Sequence, residues 1–166
     1  MPEPEDVLDR ARRIEAILAR PEDCEPKLRG RRLLRLSARP SRQPTSYAWA
    51  VVKQRRDSPL TVREIMVPHL AVDGVRVRDV EVEPPVIESR LKSASTISIP
   101  VVRMDYGLGL DGTFFALMVG NHCNSAEIRF WGNGPEEWRD LVAWAKEMMA
   151  FLHERVALGE PLDLRL

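Results

Sequence analysis

The chain has 166 residues, of which 44% are apolar and 30% are charged, and its 25 basic side chains balance its 25 acidic ones. This length predicts a single domain (1–166) whose core needs no disulfide or metal. Zero net charge argues against a dedicated nucleic-acid binder, and the lack of an apolar run of about 18 residues excludes a predicted membrane span.

The amino-terminal region predicts a helix. Residues 4–20 carry apolar side chains at helical spacing, and Pro21 stops the pattern. The apolar stripe is thin, so we expect this helix at the edge of the fold. The first ten residues are acidic and do not resemble a secretory signal, which predicts a cytoplasmic protein with free thiols at Cys24 and Cys123.

Residues 21–45 form an irregular basic segment in this prediction, with at most a short strand in RRLLRLSA. Residues 26–56 contain ten Lys or Arg and no Asp or Glu. These charges either balance acidic side chains elsewhere on the folded surface or bind an anionic partner. Nucleic acid on residues 27–56 is the less favoured alternative, because no aromatic side chain for base stacking occurs there before Tyr47.

Residues 46–131 predict mainly strands. The stretch 46–54 is apolar on both faces and predicts an inner strand. Asp73-Gly74 predicts a two-residue hairpin turn, and Pro68 places the strand before it at a sheet edge. Alternating apolar residues predict a further strand near 96–103, preceded over 86–94 by a short helix or a loop.

A second hairpin is predicted from two strands at 113–119 and 125–131. The first has apolar residues on both faces, which indicates a central strand. The second alternates, so that Trp131 shares its face with Glu127 and Arg129. An exposed Trp beside Arg is typical of a protein-binding surface.

The carboxyl-terminal helix is predicted over 135–157, where Pro135 suits the first helical position. An apolar stripe covers about half of this helix, by the advance of about 100° per residue. Such a helix must pack across a sheet. The sequence therefore predicts an α+β fold: an antiparallel sheet of about five to seven strands, a long C-terminal helix across one face and the N-terminal helix at the edge.

Candidate chemistry is sparse. His122-Cys123 would support a small hydrolase only if His69 or His153 folded back onto Cys123, because neighbours in sequence rarely form a catalytic pair. The Cys and His residues show no paired spacing for a metal, and YGLGLDG leads into a strand rather than the helix of a phosphate loop. We therefore predict no catalytic residues, no metal and no cofactor.

The stretch from residue 111 to residue 138 resembles a C-terminal module of small uncharacterised bacterial proteins. In that module a strand after Asp-Gly-Thr pairs with a strand ending in Trp-Gly, and a Gly-Pro-x-x-Trp turn opens the last helix. The residues that carry the resemblance are Asp111, Gly112, Thr113, Gly120, Asn124, Ser125, Trp131, Gly132, Gly134, Pro135 and Trp138. The resemblance implies an immunity-like or accessory role in some of these proteins and brings no catalytic residue.

The predicted function is non-catalytic protein binding, as in an immunity or accessory protein that neutralises or chaperones a partner. The predicted partner-binding residues lie in the second hairpin: Trp131, Arg129, Glu127, His122 and Asn121. Binding of nucleic acid is disfavoured, and homo-oligomerisation is left open.

Overall fold

The computed structural model describes residues 4–70, 74–100, 112–120 and 125–157. Within these ranges the chain forms, in order, α1 (Pro4–Ala19), β1 (Arg31–Pro40), β2 (Thr45–Lys53), β3 (Leu60–Pro68), β4 (Arg76–Val82), α2 (Pro84–Ala94), β5 (Thr113–Gly120), β6 (Ser125–Trp131) and α3 (Arg139–Val156). One 3₁₀ turn, Pro21–Asp23, follows α1, and a second, Glu136–Trp138, leads into α3. None of the helices in the described ranges is long and apolar enough to cross a membrane.

The six strands form one open sheet in the order β4-β3-β2-β1-β5-β6. Every neighbouring pair is antiparallel, and β1 and β2 lie at the centre. The predicted α+β class and the antiparallel sheet of five to seven strands are confirmed.

One face of the sheet, here the α3 face, carries the main core. The turn before α3 places Gly132 and Gly134 at φ +59° and +63°, a left-handed conformation that glycine adopts without strain. The buried residues of α3 recur at helical spacing: Leu141, Val142, Trp144, Ala145, Met148, Met149, Phe151, Leu152 and Val156. They pack on apolar residues that alternate along the strands, and α2 joins them. The predicted long helix across one face is confirmed.

The opposite face, here the α1 face, is covered by α1 and by residues 20–30. Ile14 and Leu18 of α1 pack against Ala48, Ile65 and Val67 of β2 and β3. Because these strands are interior, α1 lies across a face and not at the edge where the sequence analysis places it. Strands that are apolar on both faces must be covered on both faces of the sheet. The thin apolar stripe of α1 is enough to cover the apolar residues of the α1 face.

The irregular character predicted for residues 21–45 is wrong over residues 31–40, where the short strand considered for RRLLRLSA extends to ten residues. These residues form β1, which pairs with β2 on one side and β5 on the other. Leu34, Leu36 and Ala38 face α3, while Arg35 and Ser37 alternate onto the α1 face and are also buried. Arginines inside a strand are typical of an exposed edge, and their burial beneath α1 depends on contacts that local sequence does not encode.

The first predicted hairpin differs in register. Met66 pairs with Arg76, so nine residues separate the paired positions and the turn is not the two-residue Asp73-Gly74 type; Asp73 itself lies outside the described residues. Pro68 ends β3 rather than marking an edge, since β3 lies between β2 and β4. Residues 86–94 are helical in α2. Of the strand predicted near 96–103, residues 96–100 form no strand, and residues 101–103 lie outside the described residues.

Candidate functional site

Three of the five predicted partner-binding residues lie together on the α1 face of β6. Ile128 and Phe130 turn towards the core, so the alternation of the strand sends Glu127, Arg129 and Trp131 to the other side. Arg129 donates to Glu127 at 2.9 Å and lies 4.0 Å from Glu15 of α1. The other two, Asn121 and His122, lie outside the described residues, as does Cys123.

Trp131 is half-buried and forms part of a groove between α1 and the corner of the sheet. Its Nε1 lies so close to Gly112 that a Cβ at that position would fall 2.8 Å from it. The groove has a volume of about 350 Å³. We call it the Trp131 groove; its lining residues are Val7, Arg10, Ala11, Ile14, Arg39, Pro40, Ser41, His69 and Trp131.

The Trp131 groove combines apolar walls with positive charge. Apolar side chains come from α1, and Val7 and the neighbouring Leu8 are 51% and 60% exposed. Arg10 and Arg39 supply two guanidinium groups, and no carboxylate belongs to the lining within the described part of the chain. The groove therefore suits an apolar side chain that carries an acidic neighbour.

His69 borders the groove as a neutral side chain. Its Nε2 lies 2.7 Å from the Ser46 hydroxyl oxygen. Burial lowers the pKa of the His69 imidazole from its ordinary value, and the nearby Arg39 lowers it further. A Ser-His pair is a nucleophile arrangement only where substrate reaches the hydroxyl, and Ser46 is fully buried.

A second concavity, larger than the first, lies at the other end of the α1 face. We call it the cationic cavity; its volume is about 730 Å³. Its lining residues are Ala19, Arg20, Glu22, Asp23, Lys27, Leu28, Arg29, Gly30, Arg32, Arg35, Val52, Met118, Glu127 and Arg129. Two of the predicted partner-binding residues, Glu127 and Arg129, therefore line this cavity and not the Trp131 groove. Arg35 is a lining residue that was not predicted from the sequence. The available signal was its spacing, which places Arg35 and Arg39 on the face opposite the apolar residues of β1.

Arg63 holds the outer wall of the cationic cavity against the sheet. Its side chain is 1% exposed and donates two hydrogen bonds of 2.7 Å to the carboxylate of Asp79. It also donates to the backbone carbonyls of Cys24 at 2.7 Å and Pro26 at 2.5 Å. One buried guanidinium therefore fixes the position of residues 22–26 over β3 and β4.

A separate polar cluster is buried on the α3 face. Glu64 is fully buried; its Oε2 accepts from Trp49 Nε1 at 2.6 Å and lies 2.8 Å from His153 Nδ1. Tyr47 stacks on Trp49 with ring centroids 5.9 Å apart. Burial raises the pKa of the Glu64 carboxyl, although the hydrogen bonds from Trp49 and His153 and the charge of Arg78 act the other way. The cluster ties α3 to the centre of the sheet.

The described residues hold no group of three or more His, Cys, Asp or Glu that could bind a metal ion. Both described histidines have side-chain partners, Ser46 for His69 and Glu64 for His153. No protein-family model matches the chain, and neither a curated protein nor a solved structure does. The geometry of the α1 face is therefore the main evidence about function.

Proposed function

We propose that the protein is a non-catalytic binding protein that takes up an acidic segment of a partner protein in the Trp131 groove. The observation that carries the proposal is the composition of the groove, in which apolar walls meet two arginines and no described carboxylate. Binding hot spots are enriched in Trp and Arg that surround a desolvated pocket. Such a role fits an immunity or accessory protein, which neutralises or chaperones a partner.

Electrostatics favours a protein partner over a nucleic acid. The basic segment 27–56 contributes to both concavities, but Glu15, Glu22, Asp23 and Glu127 lie among its cations on the α1 face. A nucleic acid would lay a row of several phosphates across these carboxylates as well as the cations, whereas a protein segment can place Asp or Glu beside arginine and Lys beside carboxylate. Apolar side chains such as Val7 add contact area that a nucleic-acid backbone would not use.

The hydrolase that uses Cys123 is the less supported alternative. Each described histidine contacts another side chain, His69 that of Ser46 and His153 that of Glu64. The Ser46 hydroxyl beside His69 is buried. This alternative requires rapid, selective alkylation of Cys123 at neutral pH. A thiol that reacts no faster than a model thiol would remove it.

The proposal is tested by selecting binders from a random-peptide library on the wild-type protein. We expect selected peptides to share an aromatic or aliphatic residue next to Asp or Glu. Replacing Trp131 by Ala should weaken their binding by about 30-fold, because a central Trp contributes about 2 kcal/mol or more at such interfaces.

The matched control is Val119→Ala, which shortens a partly exposed apolar side chain that does not line the groove. Its affinity for the selected peptides should equal that of the wild type. Peptides without acidic residues, or equal loss of affinity in Trp131→Ala and Val119→Ala, would contradict the proposal.

A further inference from the structure

The cationic cavity is a separate feature of the α1 face, and partner binding at the Trp131 groove leaves its size and charge unexplained. Its lining includes six Lys or Arg and three Asp or Glu. Within the described part of the chain, no residue lines both the cationic cavity and the Trp131 groove. The cationic cavity therefore requires its own explanation.

Two of the three carboxylates of the cavity form ion pairs with its cations. Glu22 forms an ion pair with Arg32, while Glu127 lies 3.4 Å from Arg35 and 2.9 Å from Arg129. The remaining cations, on the exposed wall, are Arg20, Lys27 and Arg29. Three positive charges against the single further carboxylate of Asp23 leave the lining electropositive.

Positive charge also extends to the floor of the cavity. Arg35 is 7% exposed and donates to the carbonyl oxygen of Ala19 at the end of α1. Burial lowers the pKa of the Arg35 guanidinium; Glu127 and Glu22 counteract this, and Arg32 and Arg129 reinforce it. An arginine remains charged in proteins, so the floor of the cavity carries a cation.

The wall of the cavity is fixed before any ligand arrives. The hydrogen bonds of Arg63 hold the carbonyls of Cys24 and Pro26 in place. At the other end of the wall Gly30 has φ +143°, and a Cβ there would fall 2.6 Å from the backbone oxygen of Lys53. Preformed binding groups lose little conformational freedom on binding, which favours affinity.

From these observations we infer that the cationic cavity binds a small organic phosphate. A volume of about 730 Å³ lies within the range of about 300–1,000 Å³ that small-molecule sites occupy. Guanidinium groups match the geometry of phosphate oxygens, and the side chains of Leu28, Val52 and Met118 provide apolar contacts for the organic part. No aromatic side chain belongs to the described lining, so a sugar or polyol phosphate fits better than a nucleotide.

The experiment is calorimetric titration of the full chain with pyrophosphate, ribose 5-phosphate and citrate at about 0.15 M salt, where exposed charges are screened beyond roughly 8 Å. We expect saturable binding of one molecule of each phosphate compound, and weaker binding of citrate. The double variant Lys27→Gln/Arg29→Gln should lose about ten-fold or more in affinity, because it removes two charge-assisted hydrogen-bond donors.

The matched control is Arg55→Gln/Arg56→Gln, which removes the same charge from exposed positions of the same basic segment outside the cavity. It should bind pyrophosphate as the wild type does. Equal loss in both double variants, no saturable binding, or tighter binding of single-stranded DNA than of the small phosphates would overturn the inference. The variant Trp131→Ala should keep pyrophosphate affinity, so failure here and failure of the proposed function are distinguishable.

Discussion

The two faces of the sheet are built from the same strands but are used differently. On the α3 face, apolar side chains from all six strands meet α2 and α3 in a continuous core, in which the carboxyl group of Glu64 is fully buried. On the α1 face, the apolar contacts of Ile14 and Leu18 cover a small area, and arginines fill much of the rest. One face therefore supplies most of the stability, and the other offers the groups that can bind a partner.

Neighbouring residues of β5 test this division most directly. Phe115 is fully buried on the α3 face and stacks on Phe130 with centroids 5.1 Å apart, whereas Phe114 is half-buried on the α1 face. Replacing Phe115 by Ala should lower the free energy of unfolding by about 3–5 kcal/mol, because it leaves a cavity in the core. Replacing Phe114 by Ala should cost about 1 kcal/mol, through lost apolar contact and the weak contact with the Arg39 guanidinium.

Urea denaturation of both variants measures the difference. Equal losses would show that the two faces contribute alike and would contradict the division.

Arg63 is a residue of the α1 face that should contribute to the stability of the fold. Replacing Arg63 by Met removes two hydrogen bonds to Asp79 and those to the carbonyls of Cys24 and Pro26. We expect a loss of about 2–4 kcal/mol, since buried polar partners are left unpaired. Hydrogen exchange should accelerate most at the amide of Leu28, which donates to the Glu22 carbonyl at 2.9 Å.

The control for this prediction is Arg31→Met, at an exposed position of β1. It should leave both the free energy of unfolding and the exchange of Leu28 near the wild-type values. If Arg63→Met left the exchange of residues 21–30 unchanged, Arg63 would not be what holds the wall.

The smallest effect is expected at Glu64, on the α3 face. Burial raises the pKa of this carboxyl from its ordinary value of 4.5, so the folded state holds the proton more tightly than the unfolded chain. That contribution to stability is fully present below pH 4.5 and is lost as the pH rises through the raised pKa. The variant Glu64→Gln, which carries no titrating proton, should therefore gain stability relative to the wild type as the pH increases.

Thermal or urea unfolding of Glu64→Gln and wild type across acid to neutral pH provides the measurement. The variant Glu81→Gln, on the exposed side of β4, serves as the control. A stability difference for Glu64→Gln that stays constant with pH would show that this carboxyl does not titrate differently in the folded state.

Local pattern was sufficient for some elements. The apolar stripe from Trp138 to Val156 predicts α3, and the alternation of β6 predicts that Glu127, Arg129 and Trp131 share a face. Both patterns repeat with the period of a single helix or strand, so they can be recognised from residues that are close in sequence. The antiparallel arrangement follows from the predicted hairpins, whereas the number of strands agrees although β1 takes the place of the strand predicted near 96–103.

Other features depend on distant partners. Arg63 contacts the Cys24 carbonyl across 39 residues, and the central position of β1 depends on pairing with β5. Charged residues in a strand indicate an exposed edge unless something covers them, and nothing near Arg35 in the sequence shows that α1 does. The Trp131 groove could not be predicted for the same reason, because Val7, Arg39 and Trp131 belong to three distant segments.

Residues 4–30 contribute no strand to the sheet, although the structure describes all of them. Their attachment includes the contacts of Ile14 and Leu18, the packing of Leu28 on β2, the hydrogen bonds of Arg63 and Arg35 and a few ion pairs, and none of these belongs to a strand ladder. This region can therefore separate from the sheet at a lower free-energy cost than global unfolding. Residues 4–30 form one wall of both the Trp131 groove and the cationic cavity. A bound partner or phosphate would therefore oppose the separation of this region from the sheet.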